Sequence, residues 1–330
     1  MPSHGYLLPT RGVVFDSDSR TTLAARVDAD VRGLARRAER SGYDAVWVGD
    51  SVLAKPRLEP LTTLAAVAAE TEAVDIGTAV YLPTLRHPVH VAHATSTVDL
   101  IAGGRLKLGV GVGVRPTERE DQEALGRDFE QRGRRLDETL ELLDALWTGE
   151  TVTYEGETVS LDDAGIGFGP LSTPEVYVAS AAFDPAKGFP RTVRERIGAH
   201  ADGWLPISMS PESYAAGLDA AREELREAGR SPDSLDPAFY QDVVVADTEA
   251  AALAQARDFL TSYYPPEELT YLPEDSFSDE QIRRRGVFGP PELVREHLDR
   301  YVEAGVETFV TRFPATDQRE HLRRFRDVIA

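Results

Sequence analysis

The sequence predicts an α/β fold, a (β/α)8 TIM barrel, and three observations predict it. Short, nearly continuous apolar runs rich in Val alternate with longer amphipathic stretches along the chain. Strands that are apolar on both faces and separated by helices belong to a parallel sheet covered by helices. Eight such runs can be counted, which is the strand number of the closed barrel. The length of 330 residues suits one large barrel, and no Gly/Ser-rich linker or short internal repeat divides it, so 1–330 is read as a single domain.

Taken in order, the first strand is expected at 5–9 with a helix over 23–41, and the second at 45–49 with a helix over 60–72. The third strand, 74–82, leads into a helix at 88–101, and the fourth, 106–112, is followed by a helix at 130–147. Strands at 176–179, at 203–207 (helix 211–228) and at 238–245 (helix 249–262) continue the pattern. A helix at 290–304, a strand at 306–312 and a last helix to the C-terminus close it. Two stretches break the rhythm. Residues 151–161 alternate around a Glu155-Gly156 turn, which reads as an inserted hairpin. Residues 263–288 are rich in Pro and charge without a clear period and read as a long irregular insertion; such loops serve as lids or binding loops, with disorder the alternative.

Composition bounds the function. Hydrophobic residues make up 42% of the chain, enough for a sizeable core, which excludes bulk disorder. The formal net charge of -20 argues against nucleic acid or an anionic membrane as the main partner, since both require a basic footprint. No apolar run approaches the ~20 residues of a membrane span, and Met1-Pro2-Ser3-His4-Gly5 lacks the basic and apolar regions of a signal peptide, so a cytoplasmic location is expected. The absence of Cys excludes disulfides, thiolate metal sites and Cys nucleophiles. Lysine is confined to Lys55, Lys107 and Lys187. An acidic, Arg-for-Lys chain is what a salt-loaded cytoplasm tolerates, so a halophilic source is expected, with an acidic mesophile of a GC-rich genome as the alternative.

In a barrel the chemistry sits at the C-terminal ends of the strands. The second strand ends in Trp47-Val48-Gly49-Asp50-Ser51, a carboxylate and a hydroxyl at the mouth, with a turn cap as the alternative for Asp50. The fourth ends in Gly109-Val110-Gly111-Val112-Gly113, where missing side chains would admit a flat ligand to the backbone; a plain turn is the alternative. With Val114 in the last place, the run is not a dinucleotide fingerprint. The fifth ends in Ser180-Ala181-Ala182 followed by Lys187, Arg191 and Arg194, either a phosphate-holding loop or a solvated basic face. His87, His90 and His93 drift around a helix axis, so no metal site is expected from them. His87, just before Pro88 at a helix start, suits a solitary role at the mouth. The sequence holds neither a G-x-S-x-G elbow nor a P-loop.

The segments GYDAVWVGDS (42–51), EPLTTLAAVAAET (59–71), IGTAVYLPTLRHP (76–88), STVDLIAGGRLKLGVGVG (96–113), RGRRLDETLELLDALWTGE (132–150) and ADGW (201–204) together resemble the bacterial-luciferase-like superfamily. Its members are TIM-barrel oxidoreductases that use a reduced flavin or the deazaflavin coenzyme F420. The closing segment FGPPELVREHLDRYVEAGVETFV (288–310) is also similar, so the resemblance runs nearly end to end. With its acidic, Lys-poor composition, the chain most resembles the F420-dependent branch of halophilic archaea.

The resemblance implies roles residue by residue. Asp50 matches an acidic residue near the cofactor ring, and Ala79-Val80 fall where F420-using relatives have a non-prolyl cis peptide behind it. Gly111 and Gly113 match glycines over which the ring lies, and Ser180 and Ala181 match the segment holding the cofactor phosphate. Two departures matter: Ser51 stands where many relatives have His, and Val114 where some have Glu, so the usual acid/base residues are missing. The expected function is F420-dependent hydride transfer to or from a small organic substrate. Asp50, Ser51 and His87 are the catalytic candidates, with Tyr81 behind them, and Lys55, Arg57, Arg86, Arg115, Lys187 and Arg194 are expected to meet an anionic tail. An FMN-dependent monooxygenase and a non-catalytic flavin-binding barrel are the alternatives. A homodimer or higher homo-oligomer is implied.

Overall fold

The computed structural model describes all residues except 16–17, 54–55, 114–115 and 264–274. Its strands are β1 (Ser3–Leu7), β2 (Ala45–Val48), β3 (Asp75–Tyr81), β4 (Leu106–Val110), β5 (Val152–Glu155), β6 (Ser160–Ala164), β7 (Glu175–Val178), β8 (Gly203–Trp204), β9 (Asp236–Val245), β10 (Gly286–Gly289) and β11 (Thr308–Arg312). Strands β1, β2, β3, β4, β7, β8, β9 and β11 pair in parallel in that order, and β11 returns to β1, so the sheet closes into a TIM barrel. Each barrel strand falls on one of the apolar runs. Helices begin on prolines at Pro60, Pro88, Pro211 and Pro291, where a fixed φ and a missing N–H cost nothing.

The barrel interior is filled from below. Trp47 lies inside between β1 and β3, and a Cβ on Gly5 or Gly77 would come within 2.2 or 2.4 Å of its ring, so those strands carry glycine there. Leu7, Tyr177, Leu205, Ala238 and Val310 complete the layer. Beneath them, the Lys107 ammonium donates to Glu175 at 2.8 Å and to the Tyr177 hydroxyl at 2.9 Å, while Tyr177 donates to Asp236 at 2.6 Å. One of three lysines in the chain is thus spent on closing the floor.

Several expectations need correction. The strand expected over 203–207 is two residues long, because Pro206 has no N–H for the ladder, although its carbonyl still accepts from Tyr240 at 2.9 Å. The expected hairpin is present, but β5 and β6 extend it to Ala164 and are joined by a four-residue loop, 156–159, instead of a Glu155-Gly156 turn. The N–H groups of Glu157 and Thr158 in that loop are held by Glu138 at 2.7 and 3.0 Å. The expected irregular insertion is in part regular: Asp279–Arg283 is helical and Gly286–Gly289 is a ninth strand on β9. The N–H groups of Tyr240 and Asp242 point to the same edge of β9, to Pro206 and to Arg285, so β10 continues the sheet above β8 where β8 stops. Helices at Pro116–Ala124 and Arg191–His200 carry too little periodic apolar signal to be expected. The helix expected at 23–41 is a continuous run of Arg20–Arg26, a π-helical Val27–Arg32 and Gly33–Arg40. Among the described residues, no helix is long and apolar enough to cross a membrane.

Candidate active site

The strand ends enclose a cavity of about 240 Å³. Leu7, Ala79, Val80, Ala179 and Leu205 give it an apolar floor and wall, and Arg57, Arg285, Arg312, Tyr240 and Tyr263 a polar rim. Glu118 and Asp50 add carboxylates. An apolar-walled cavity with cationic side chains at its rim suits a heteroaromatic ring carrying an anionic chain.

The slot is built by β3 and β4. Their register shifts between Thr78 and Tyr81, and the Ala79–Val80 peptide there is cis. Gly111 lies directly against this bulge: its N–H donates to the Tyr81 carbonyl at 3.0 Å, and a Cβ would stand 2.9 Å from Val80 Cγ2. Gly113 has φ +71, a conformation that favours glycine, and packs beside Glu118.

The Asp50 side chain is completely buried at the cavity wall, and its carboxylate is engaged on both oxygens. It accepts from both guanidinium nitrogens of Arg86 and from the Leu82 N–H at 2.9 Å. Burial pushes its pKa up, against the opposing pull of Arg86. Arg86, which also reaches Glu59 at 3.3 Å and covers the Tyr81 ring at 4.4 Å, is therefore committed beneath the slot. Tyr81 is pushed well above its ordinary pKa by burial.

Ser51 is buried and accepts from Arg57 Nε at 3.3 Å, and Arg57 Nη2 donates to the Tyr263 hydroxyl at 3.0 Å. A Cβ on Gly49 would lie 2.2 Å from Arg57 Nη1 and 3.6 Å from the Ala79 carbonyl, so this guanidinium rests on the Gly49 backbone at the edge of the bulge.

Other expected residues go elsewhere. His87 is exposed and caps the helix Pro88–Ala102, accepting the Val89 N–H at 3.3 Å, and is not among the cavity residues. The Pro88 start fixes it as a cap, and its pKa is lowered by partial burial with help from His90 and Arg127. The His93 ring packs on Phe168, away from the His87–His90 pair. Arg194 is held on the outer surface by Glu224 at 2.7 Å and Glu227 at 3.3 Å. Lys187 is exposed, 3.9 Å from Asp184. Ser180 is half-buried, with its Oγ accepting the Ala182 N–H at 3.2 Å and its carbonyl accepting from Trp204 at 3.0 Å; Ala181 is exposed. Lys55, Val114 and Arg115 lie outside the described residues. The structure thus brings Asp50, Ser51, Ala79, Val80, Gly111 and Arg57 to one end of the barrel, with Ala179 beside Ser180 on the same rim.

The cationic rim contains residues not expected from sequence: Arg285, before β10, and Arg312, at the end of β11. Asp242 grips Arg312 with bonds of 2.7 and 2.6 Å. Arg11 joins them from behind, its guanidinium 4.1 Å from the Tyr263 ring centre. The signal for Arg312 was available, since it closes a predicted strand. Tyr263 had none, being the first residue of a stretch without period.

Comparison with known proteins places this geometry. A family model described as luciferase-like monooxygenase matches residues 10–308. The F420-dependent glucose-6-phosphate dehydrogenase of Kineococcus radiotolerans is 30% identical over 311 residues, 88% of this chain and 89% of that protein. The protein of the same description from Intrasporangium calvum is 32% identical, covering 88% and 90% of the two chains. Among solved structures, an F420-dependent secondary alcohol dehydrogenase in complex with an F420-acetone adduct superposes with a TM-score of 0.79 at 21% identity, covering 99% of this chain and 98% of that one. A monooxygenase from Streptomyces bottropensis gives 0.80 at 22%, with the same coverage. At that identity the structural matches speak for the fold.

Proposed function

The chain belongs to the luciferase-like monooxygenase family, and we propose that within it the protein is a coenzyme F420-dependent oxidoreductase acting on a small organic substrate. The observation that carries this reading is the likeness, at about a third identity and over nearly nine-tenths of the chain, to proteins described as F420-dependent dehydrogenases. The cavity supports it physically. Val80 and Gly111 leave a backbone-lined face where a Cβ would intrude, and Arg57, Arg285 and Arg312 ring it with positive charge on a chain of net charge -20.

Ala79, Val80 and Gly111 would support the cofactor ring, and the Ser180-Ala181 segment its phosphate. Bound F420 would supply two-electron hydride chemistry at its C5 carbon, leaving the protein to position the substrate and manage a proton. Asp50, pinned by Arg86, would hold the floor of the ring site instead of moving a proton. Ser51 in place of His and Val114 in place of Glu separate this chain from relatives carrying those groups, so the substrate is not taken over from them.

The test is to incubate the purified protein with oxidised F420 and a panel of small alcohols, sugar phosphates and hydroxy acids, following loss of the deazaflavin absorbance. Turnover of any member supports the reading. Oxygen consumption with reduced FMN, and none with F420, would replace it by the monooxygenase alternative. We further propose a two-fold dimer in a high-salt cytoplasm; a monomer in light scattering at high salt would refute that assembly.

A further inference from the structure

Tyr263 ends the helix Glu249–Tyr263 and lines the cavity together with Ala79, Val80 and Arg57. Three guanidinium groups from three separate strand ends converge on it. Arg57, after β2, donates to its hydroxyl at 3.0 Å; Arg11, after β1, covers its ring at 4.1 Å; Arg312, at the end of β11, stands 5.4 Å from the ring centre. Among the described residues, the charged and titratable groups nearest to it besides these are Asp242 and Tyr240 of β9, with Asp50, Glu118 and Arg285 on the same cavity. Asp242 is bound on both oxygens by Arg312, which removes much of its repulsion toward a phenolate. Phe259, one turn back, stacks on the ring at 5.4 Å and fixes it.

We propose that Tyr263 is the catalytic residue that exchanges the oxygen-bound proton of the substrate, a phenolate base for oxidation and a phenol acid for reduction. The proposal rests on the F420 reading above. In the oxidative direction the substrate O–H bond breaks and its proton forms the phenol O–H of Tyr263. The carbinol C–H bond breaks and its hydrogen leaves with both bonding electrons, as hydride, for the deazaflavin, so the substrate loses two electrons, the cofactor gains two, and a carbonyl results. The remaining lining groups are poorly placed for this task. Asp50 is spent on Arg86 and Leu82, Ser51 does not ionise near neutrality, and burial pushes Tyr240 far up. Burial would raise Tyr263 as well, but Arg57, Arg312 and Arg11 outweigh it and bring its pKa from 10.0 down to about 7, near the value a proton-exchanging group needs. Among the described lining residues Glu118 is the remaining carboxylate, and it serves as the control.

The experiment reads tyrosinate directly, by near-ultraviolet difference absorbance of the full chain without added cofactor, from about pH 5 to about pH 10. The eight other described tyrosines are raised, so the Tyr263 step stands apart from them. Wild type should form one tyrosinate with a midpoint near 7, Tyr263→Phe should lose that step, and Arg57→Gln should move it up by about a unit or more. If Tyr263→Phe does not fold, Arg57→Gln alone carries the result. With F420 and a turned-over substrate, Tyr263→Phe should lower kcat about 100-fold or more while F420 affinity stays within about twofold, and the pH limb of kcat should survive Glu118→Gln. Absence of a tyrosinate step below about pH 9, its persistence in Tyr263→Phe, or a near-wild-type kcat in that variant would overturn the proposal. Loss of F420 binding by wild type with the spectroscopic step intact would instead count against the cofactor reading alone.

Discussion

Arg86 grips Asp50 with both guanidinium nitrogens, Nη2 meeting Oδ1 at 3.1 Å and Nη1 meeting Oδ2, across the gap between the ends of β2 and β3. The carboxylate is fully buried and also takes the Leu82 N–H, so it ties the second strand to the turn beyond the Ala79–Val80 bulge. This pair makes the sequence WVGDS a structural latch.

Removing half of the latch leaves the other charge poorly solvated. Asp50→Asn is expected to cost about 3 kcal/mol of folding stability, read by urea unfolding at fixed salt. The double variant Asp50→Asn/Arg86→Gln should lose less than the sum of the two single changes. A loss below about 0.5 kcal/mol in Asp50→Asn would mean that the pair behaves as an exposed one.

The slot itself can be closed by one methyl group. Gly111→Ala places a Cβ 2.9 Å from Val80 Cγ2, and the soft way out is for Val80 to move into the cavity. The variant should fold with a penalty of about 1 kcal/mol and bind F420 about tenfold more weakly, measured by thermal unfolding and fluorescence titration. Unchanged affinity would place the ring elsewhere.

His4 supplies a pH dependence. Its ring stacks on Phe309 at 5.4 Å, and burial lowers its pKa from 6.5 to about 4, the nearby Asp44 opposing. The unfolded chain takes up this proton first as pH falls. The stabilisation is therefore complete above about 6.5 and lost between 6.5 and 4, by about 3 kcal/mol. His297 is lowered by burial to about 4 as well, so His4→Phe should make that part of the stability profile shallower and leave the His297 share in place.

Net charge makes a further prediction. A chain at -20 repels itself, and salt screens that repulsion. Raising KCl from about 0.1 M to about 1 M shortens the screening length from ~10 to ~3 Å, and Tm should rise. A flat or falling Tm would count against the halophilic reading.

Much of the fold is legible because a parallel barrel strand, buried on both faces, must be written as an apolar run. The exceptions have local causes. Pro206 truncates β8, and β10 is four residues squeezed between Arg283-Arg284-Arg285 and Pro290-Pro291, too short for any period. The site is legible where it is local, since strand ends point to Asp50, Ala79-Val80 and Gly111. It is illegible where partners are distant: nothing near Arg194 announces Glu224, 30 residues away. Tyr263 acquires its character only from Arg11, Arg57 and Arg312, which the closed barrel brings together.

A paired titration decides which cofactor the slot takes. The purified full chain, at high salt, is titrated with F420 and separately with FMN, following the quenching of each ligand's own fluorescence. F420 should bind saturably with a Kd of about 1 μM or tighter, and FMN at least about 100-fold more weakly. Tight FMN binding with no saturable F420 signal would make the slot a flavin site and rule out the F420 reading.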